Sequence, residues 1–206
     1  MGKVSGGDFE NRIESIFKSY NQIIAPFIMQ LEIMDCEYPV EIFNEIRSVM
    51  THLSRADLSE DDSFVEDNIV KAERHVKRAI LDCYKYSCVS FTEKLQTFDQ
   101  TYRGVDLSLI DNGEFLPQFS KLQKEAEKAL QQAKQSELNT DISEDEIFSL
   151  YENAYNCFYG VNELIDSSFE KLHRVKHKKT KEDWITAISI GVGIAGLLVG
   201  VLGFFF

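Results

Sequence analysis

The sequence contains few residues that would interrupt a helix. Proline occurs only three times among 206 residues, at Pro26, Pro39 and Pro117. Proline lacks the backbone N–H and its ring clashes with the preceding turn, so it is the strongest helix breaker. Apolar residues recur at steps of three and four over most of the chain, the period of an amphipathic helix. The sequence therefore predicts an all-α fold with long helices.

Cysteine is also scarce and unpatterned. The four cysteines, Cys36, Cys83, Cys88 and Cys157, form no CxxC pair and have no regular spacing. This argues against a disulfide framework and against a cysteine-ligated metal site. We expect reduced thiols that pack mainly as small apolar side chains.

Sequence signatures of catalysis are missing. The chain has no GxxxxGK[ST], HExxH or GxSxG motif. His173 and His177 stand one helical turn apart, a spacing that can bind a metal, but no carboxylate or cysteine follows at a matching position. A solvated basic helix face is the simpler interpretation of this pair. We therefore expect no enzyme activity, no metal site and no cofactor.

Positive charge is scarce before residue 171. The chain has 22 basic and 34 acidic residues, of which six and two lie in 171–183, so residues 1–170 hold 16 basic and 32 acidic residues, a net charge of −16. Such a surface repels nucleic acid and anionic lipid in general. We exclude bulk nucleic-acid binding, whereas 171–183 is expected to be attracted to lipid headgroups.

A long apolar run is present at residues 184–206, WITAISIGVGIAGLLVGVLGFFF, which has no charged residue. As a helix, 23 residues cover roughly 34 Å, enough to cross a hydrocarbon core about 30 Å thick. The run predicts a single transmembrane helix. A buried helix of a large soluble core is the alternative.

Small residues in this run lie on one helical stripe. Steps of three and four separate Thr186, Ser189, Gly193, Gly196, Gly200 and Gly203. In a bilayer, small side chains on one face let two helix backbones approach closely. The stripe predicts a homo-oligomer, although glycine is also common in membrane helices generally.

The flanks of the span predict its orientation. Basic residues precede it, and the positive-inside rule then places the preceding body in the cytoplasm. A tail anchor is the expectation, since MGKVSGGDFENRIES has no apolar signal-peptide core. The side chains expected at the membrane surface are Lys176, Lys178, Lys179, Lys181 and Trp184.

The predicted layout has four parts. Residues 1–7 form a disordered lead, 8–170 an acidic cytoplasmic bundle of about four to five helices, 171–183 a basic juxtamembrane segment, and 184–206 the transmembrane helix. From Ser143 onward no residue except Gly160 suggests a break. Two hypotheses stay open for 171–183, a helix continuous from body to span or a flexible linker.

Several local features of the bundle are predicted. Pro26 should interrupt the first helix near Ile24, and a break near 87–90 would divide the third helix. Capping boxes are predicted at Ser63 with Glu66, and at Ser143 with Glu146. The second helix is expected to bury Val40, Phe43, Ile46, Met50 and Leu53, and Leu138 is expected on the apolar face of the fourth.

One basic cluster contrasts with the acidic body. Lys71, Arg74, Arg78 and Lys85 share a face of the third helix. They could pair with acidic residues of neighbouring helices, or they could bind an anionic ligand such as a nucleotide, because arginine matches phosphate oxygens. Tyr151, Tyr155 and Tyr159 share a face of the fifth helix, as core residues or as stacking surface.

The overall layout, a helical body followed by one glycine-striped span, is similar to that of small bacterial membrane effectors of anti-phage defence. The resemblance is one of architecture and covers no motif. It implies a gated pore or channel that disrupts the membrane. The alternative is a tethered adaptor whose body binds a cytoplasmic protein partner, with lipid regulation through the basic stretch as a third hypothesis.

Overall fold

The protein is described by a computed structural model that covers residues 6–35 and 39–204, with side chains at 9–33, 39–186 and 189. These residues are mainly helical and include no strand, which confirms the all-α class. The helices are α1 (Gly6–Ser19), α2 (Ala25–Asp35), α3 (Val40–Asp57), α4 (Asp62–Thr101), α5 (Phe115–Ser136), α6 (Glu144–Ser167) and α7 (Phe169–Phe204).

A π-helical turn, Tyr20–Ile24, joins α1 to α2 without a gap. Pro26 lies two residues after the end of this turn, and its ring would crowd a carbonyl of a regular preceding turn. A π turn widens the helix by one residue and relieves that contact. The predicted interruption near Ile24 is therefore confirmed, as a widened turn.

The 40-residue helix α4 is the central element, about 60 Å long at 1.5 Å per residue. Its first half packs against α1, α2 and α3, and its second half against α5 and α6. The predicted break near 87–90 is wrong. Ser87 and Ser90 are buried along α4, where packing on both sides supports a continuous helix.

Two apolar cores lie along α4. The first joins α4 to α1, α2 and α3, and also includes one buried residue each of α5 and α6; among its members are Ile16, Ile28, Ile42, Val49, Ala72, Ala79, Ala133 and Tyr151. The second joins α4 to α5, α6 and the start of α7 through Phe91, Leu95, Phe115, Phe158, Val161 and Leu172. Tyr155 of α6 packs against both, with its ring centroid 4.9 Å from that of Phe27 and 5.9 Å from that of Phe91.

The buried face of α3 differs from the predicted one. Ile42, Val49 and Ala56 are buried, whereas Val40, Phe43 and Met50 are exposed. The helix has two neighbouring apolar stripes, and the stripe that packs on α4 is the one that is buried. Ile46 and Leu53, at the edge of the contact, are partly buried.

The first capping prediction is wrong. The cap of α4 is Asp61, whose carboxylate accepts from the backbone N–H groups of Ser63 and Phe64. Glu66 instead receives two hydrogen bonds from Arg12. The carboxylate of Asp61 is a stronger acceptor at the positive end of the helix than the hydroxyl of Ser63, two residues later.

The second capping prediction is confirmed for the serine, because the Ser143 hydroxyl accepts from the backbone N–H of Glu146 at 3.2 Å.

The prediction for Leu138 is wrong. This residue lies beyond the end of α5 at Ser136 and its side chain is 87% exposed.

The chain from 143 onward is not one helix. Ser168 separates α6 from α7, with φ −98° and ψ 3°. The basic segment 171–183 is helical throughout and belongs to α7, so the flexible linker is wrong; the helix that enters the predicted span begins at Phe169, after the break, and is not a continuation of α6. In the part of the chain with described side chains, no helix is both long and apolar enough to cross a membrane. Most of the predicted span lies outside that part.

Arg12 holds α1 on α4. Its guanidinium donates to both oxygens of Glu73, at 2.8 Å, and to both oxygens of Glu66, at 2.7 and 2.8 Å. These hydrogen bonds, those to Glu73 first, raise the pKa of Arg12 above its usual value. Arg12 is thus the charged link between two segments that are more than fifty residues apart in sequence.

We predict that Arg12→Ala lowers the free energy of unfolding by about 1–2 kcal/mol, a value reduced because both glutamates are more than a third exposed. Lys18→Ala, which removes an exposed cation from the same helix, should change it by less than about 0.5 kcal/mol. Urea unfolding of the full chain, followed by circular dichroism, measures both. Equal effects would show that the Arg12 pairs do not hold α1.

Candidate functional site

A pocket of about 310 Å³ lies between the middle of α4 and the start of α6. One side is basic and belongs to α4, where steps of three and four place the side chains on one face. The other side is apolar and comes mainly from α6. The lining residues are Arg74, Lys77, Arg78, Leu81, Lys85, Glu137, Glu144, Ile147 and Phe148.

Three of the four cations predicted for an anionic ligand line this pocket: Arg74, Arg78 and Lys85. Lys71 does not, and its ammonium pairs with Asp67 on the same helix at 2.5 Å. Lys77 is a lining residue that the sequence analysis missed. Its position three residues after Arg74 was the available signal, since i and i+3 share a helix face.

Two of the lining lysines join neighbouring helices. Lys77 pairs with Asp145 in the first turn of α6, and Lys85 pairs with Glu137 just after α5. For these two, the pairing with acidic residues of other helices is the interpretation that the geometry supports. They hold the two ends of the pocket together.

Arg74 and Arg78 differ from the lysines. Both are exposed, and among the described residues neither has a carboxylate within 4.0 Å or a side-chain hydrogen bond. They are four residues apart, so their guanidinium groups extend over the same side of α4. The basic side of the pocket therefore has two arginines without a direct ion pair to a described residue, although Asp82, four residues after Arg78, lies within electrostatic range of it.

Tyr151 lies beneath the Lys85 end of the pocket, with the Lys85 ammonium 5.1 Å from the centre of its ring. Burial, and then its hydrogen bond to Glu137, raise the pKa of Tyr151. The phenol therefore stays protonated at neutral pH and donates to Glu137. Tyr151 and Tyr155 pack in the core, whereas Tyr159 is exposed and lines none of the described pocket.

The start of α7 packs against the body, beside the end of α4. Leu172 is fully buried in the second core and Val175 packs next to it. The Lys176 ammonium lies 5.7 Å from the centre of the Tyr102 ring. Lys179 donates to the carbonyl oxygen of Gly104 at 2.7 Å.

The absence of a side chain at Gly104 allows Lys179 to reach its carbonyl oxygen. It lies three residues beyond the end of α4 and has φ +71°, a left-handed conformation that glycine adopts without strain. A Cβ at this position would lie 2.6 Å from the Lys179 ammonium. Glycine therefore both turns the chain and leaves room for the lysine.

The predicted membrane-surface residues divide into two groups. Lys176 and Lys179 contact the body, as described above. Lys178, Lys181 and Trp184 are exposed, and Trp184 is 68% accessible. The second group makes no contact with the body that the described residues record, and Lys178 pairs with Glu182 on its own helix at 4.0 Å.

The predicted oligomerisation stripe is described only at its start. The hydroxyls of Thr186 and Ser189 donate to the carbonyl oxygens four residues earlier, at 2.9 and 2.8 Å. The helical backbone continues to Phe204. The remaining stripe residues, Gly193, Gly196, Gly200 and Gly203, lie outside the residues whose surroundings are described.

The histidines form two pairs. The rings of His173 and His177 lie 4.3 Å apart, with 3.2 Å between their Nε2 atoms. His52 and His75 stack at 5.3 Å, and His75 pairs with Glu45. Among the described residues, no group of three or more histidine, cysteine, aspartate or glutamate side chains is arranged to hold a metal ion.

Comparison with known proteins gives no relative. The chain matches no protein-family model, no curated protein and no solved structure. Functional inference therefore rests on the site geometry.

The packing of α7 generates a prediction. We expect Leu172→Ala to leave a cavity in the second core and to loosen the first turns of α7. Backbone amides of residues 172–180 should then exchange with solvent at least tenfold faster, since about 1.4 kcal/mol corresponds to a factor of ten. Hydrogen exchange with mass spectrometry measures this.

Arg174→Ala, which truncates an exposed residue of the same turns, is the matched control. It should leave exchange in 172–180 within a factor of two or three. If both variants exchange alike, burial of Leu172 does not hold α7 on the body.

Proposed function

We propose that this protein is a single-span membrane protein whose body controls self-association of its span, as a gated pore or channel-type effector. The segment 184–206 inserts in the bilayer, and the body lies on the cytoplasmic side, where the basic flank remains. The copies meet through Thr186, Ser189, Gly193, Gly196, Gly200 and Gly203.

The observation that carries the proposal is the position of α7. The same helix has Leu172 in the body's core and continues through the start of the apolar segment to Phe204. A structured connection of this kind can pass a change of tilt or rotation from body to span, whereas a loose linker cannot. An anchor without a further role would not require such packing.

The polar content of the span supports a narrow pathway. Thr186 and Ser189 are its polar side chains, and both hydroxyls already donate to their own helix. Such back-bonding satisfies a hydroxyl inside a bilayer. One span encloses no aqueous path, so several copies with a hydrophobic constriction that opens on a signal are required.

The second candidate function is a membrane-tethered adaptor. It is favoured by apolar side chains of α2 and α3 that are more than half exposed, namely Met29, Ile33, Val40 and Met50. Exposed apolar residues are frequent at protein-binding surfaces. In this function the bundle binds a cytoplasmic protein partner and the span only tethers it.

We predict that a variant lacking 184–206 moves to the soluble fraction while it keeps its helical circular dichroism spectrum. The two apolar cores lie before residue 184, so the body should fold without the span. The full chain should stay in the membrane fraction even at high salt. Salt screens the attraction of the lysines to lipid, so what remains is insertion of the apolar segment. A truncated variant that stays membrane-bound at high salt would contradict membrane insertion by 184–206.

The stripe provides the test of self-association. Gly196→Ile and Gly200→Ile keep the segment apolar, but each places a branched side chain where two backbones would meet. We expect a lower oligomeric state and at least a fivefold loss of any dye release from liposomes. Crosslinking in membranes and dye-release assays measure the two properties.

Leu198→Ile and Val201→Ile, which lie off the stripe, are the controls and should change neither property. Stripe variants that crosslink and leak like the parent would favour the adaptor. Variants that still permeabilise liposomes as monomers would refute the pore.

A further inference from the structure

Arg74 and Arg78 line the pocket and form no ion pair within 4.0 Å among the described residues, unlike the lysines beside them. Residues 1–170 have twice as many acidic as basic residues, so partners are abundant. Lys71, Lys77 and Lys85, on the same stretch of α4, all have one. Among the described residues on the basic side of the pocket, only these two arginines form no direct ion pair, and Asp82 acts on Arg78 from a longer distance.

The apolar side of the pocket faces these cations. Leu81, Ile147 and Phe148 form it, and all three are only partly buried. The Phe148 ring packs edge-to-face with that of Tyr84, at a centroid distance of 5.6 Å, and the Lys77 ammonium lies 5.5 Å from its centre. A salt-bridge network needs no such surface, whereas a ligand with a phosphate and a flat ring uses both sides.

We propose that the pocket binds a phosphate-bearing ligand of mononucleotide size, with its phosphate on Arg74 and Arg78 and its base against Phe148. Guanidinium groups match phosphate oxygens through paired hydrogen bonds. Any of the nucleic-acid bases can stack on a phenylalanine ring, because each has a flat π-face.

Size and charge limit the ligand. The volume, about 310 Å³, is at the lower end of ligand pockets, about 300–1,000 Å³. It suits one ring and one sugar phosphate. Glu137 and Glu144 also line the pocket and would repel additional phosphates. The structure therefore favours a monophosphate over an oligonucleotide or a polyphosphate.

The proposal rests on the pocket alone and does not depend on self-association of the span. Isothermal titration calorimetry of the purified full chain tests it, with the four ribonucleoside 5′-monophosphates, adenosine and inorganic phosphate as probes. We expect at least one monophosphate to bind, and adenosine and inorganic phosphate to bind at least tenfold more weakly than that monophosphate.

The double variant Arg74→Gln/Arg78→Gln should weaken binding of that monophosphate at least tenfold, with an unchanged thermal unfolding midpoint. Arg47→Gln/Arg55→Gln is the matched control. It removes the same charge from exposed positions of α3 that do not line the pocket, and it should bind like the parent. Phe148→Leu, which keeps an apolar side chain, should weaken the monophosphate and leave inorganic phosphate unchanged.

Four results would overturn the proposal. They are no binding of any monophosphate at millimolar concentration, unchanged binding in the Arg74 and Arg78 variant, an equal loss in the Arg47 and Arg55 control, and inorganic phosphate binding as tightly as the nucleotides. The last would mean that the apolar side contributes nothing.

Discussion

Burial of apolar side chains along α4 is the interaction on which the rest of the described structure depends. Val76 and Ala79 of its first half belong to one core, and Phe91 and Leu95 of its second half belong to the other. Because one unbroken helix carries both cores, their separation is fixed. The pocket beside Arg78 and the contact at Gly104 therefore lie at fixed positions along the same rigid element.

Charge in this molecule is divided between tasks that follow from burial and geometry. Arg12 pairs with two glutamates and holds helices together, whereas Arg74 and Arg78 line a pocket and form no direct ion pair with a described residue. The lysines of α7 are divided in the same way, since Lys179 binds a backbone carbonyl and Lys181 is exposed. A count of basic residues could not have distinguished these roles, because the partner of each cation belongs to a distant segment.

Periodicity predicted most helices and the interruption near Pro26, because apolar spacing and proline act locally. It misplaced the buried face of α3, where two adjacent apolar stripes satisfy the same period and only contact with α4 decides between them. The turn at Ser168 has no local signal. For the candidate site, sequence spacing brought Arg74 and Arg78 together, but the opposing Phe148 comes from a helix about seventy residues away and could not be inferred.

The attachment of α7 has a mechanical consequence. Leu172 and Lys179 are two points of contact with the body, separated by about 10 Å along the helix. The helix extends from Leu172 to Phe204 over about 48 Å. If α7 moves as a straight rod, a displacement of about 1 Å at Lys179 becomes about 4–5 Å at Phe204, half the 8–10 Å that separates packed helices. In such a motion the body acts on the short arm of a lever. A shift at Lys179 that is much smaller than the diameter of a helix then changes which neighbouring helices the end at Phe204 can contact.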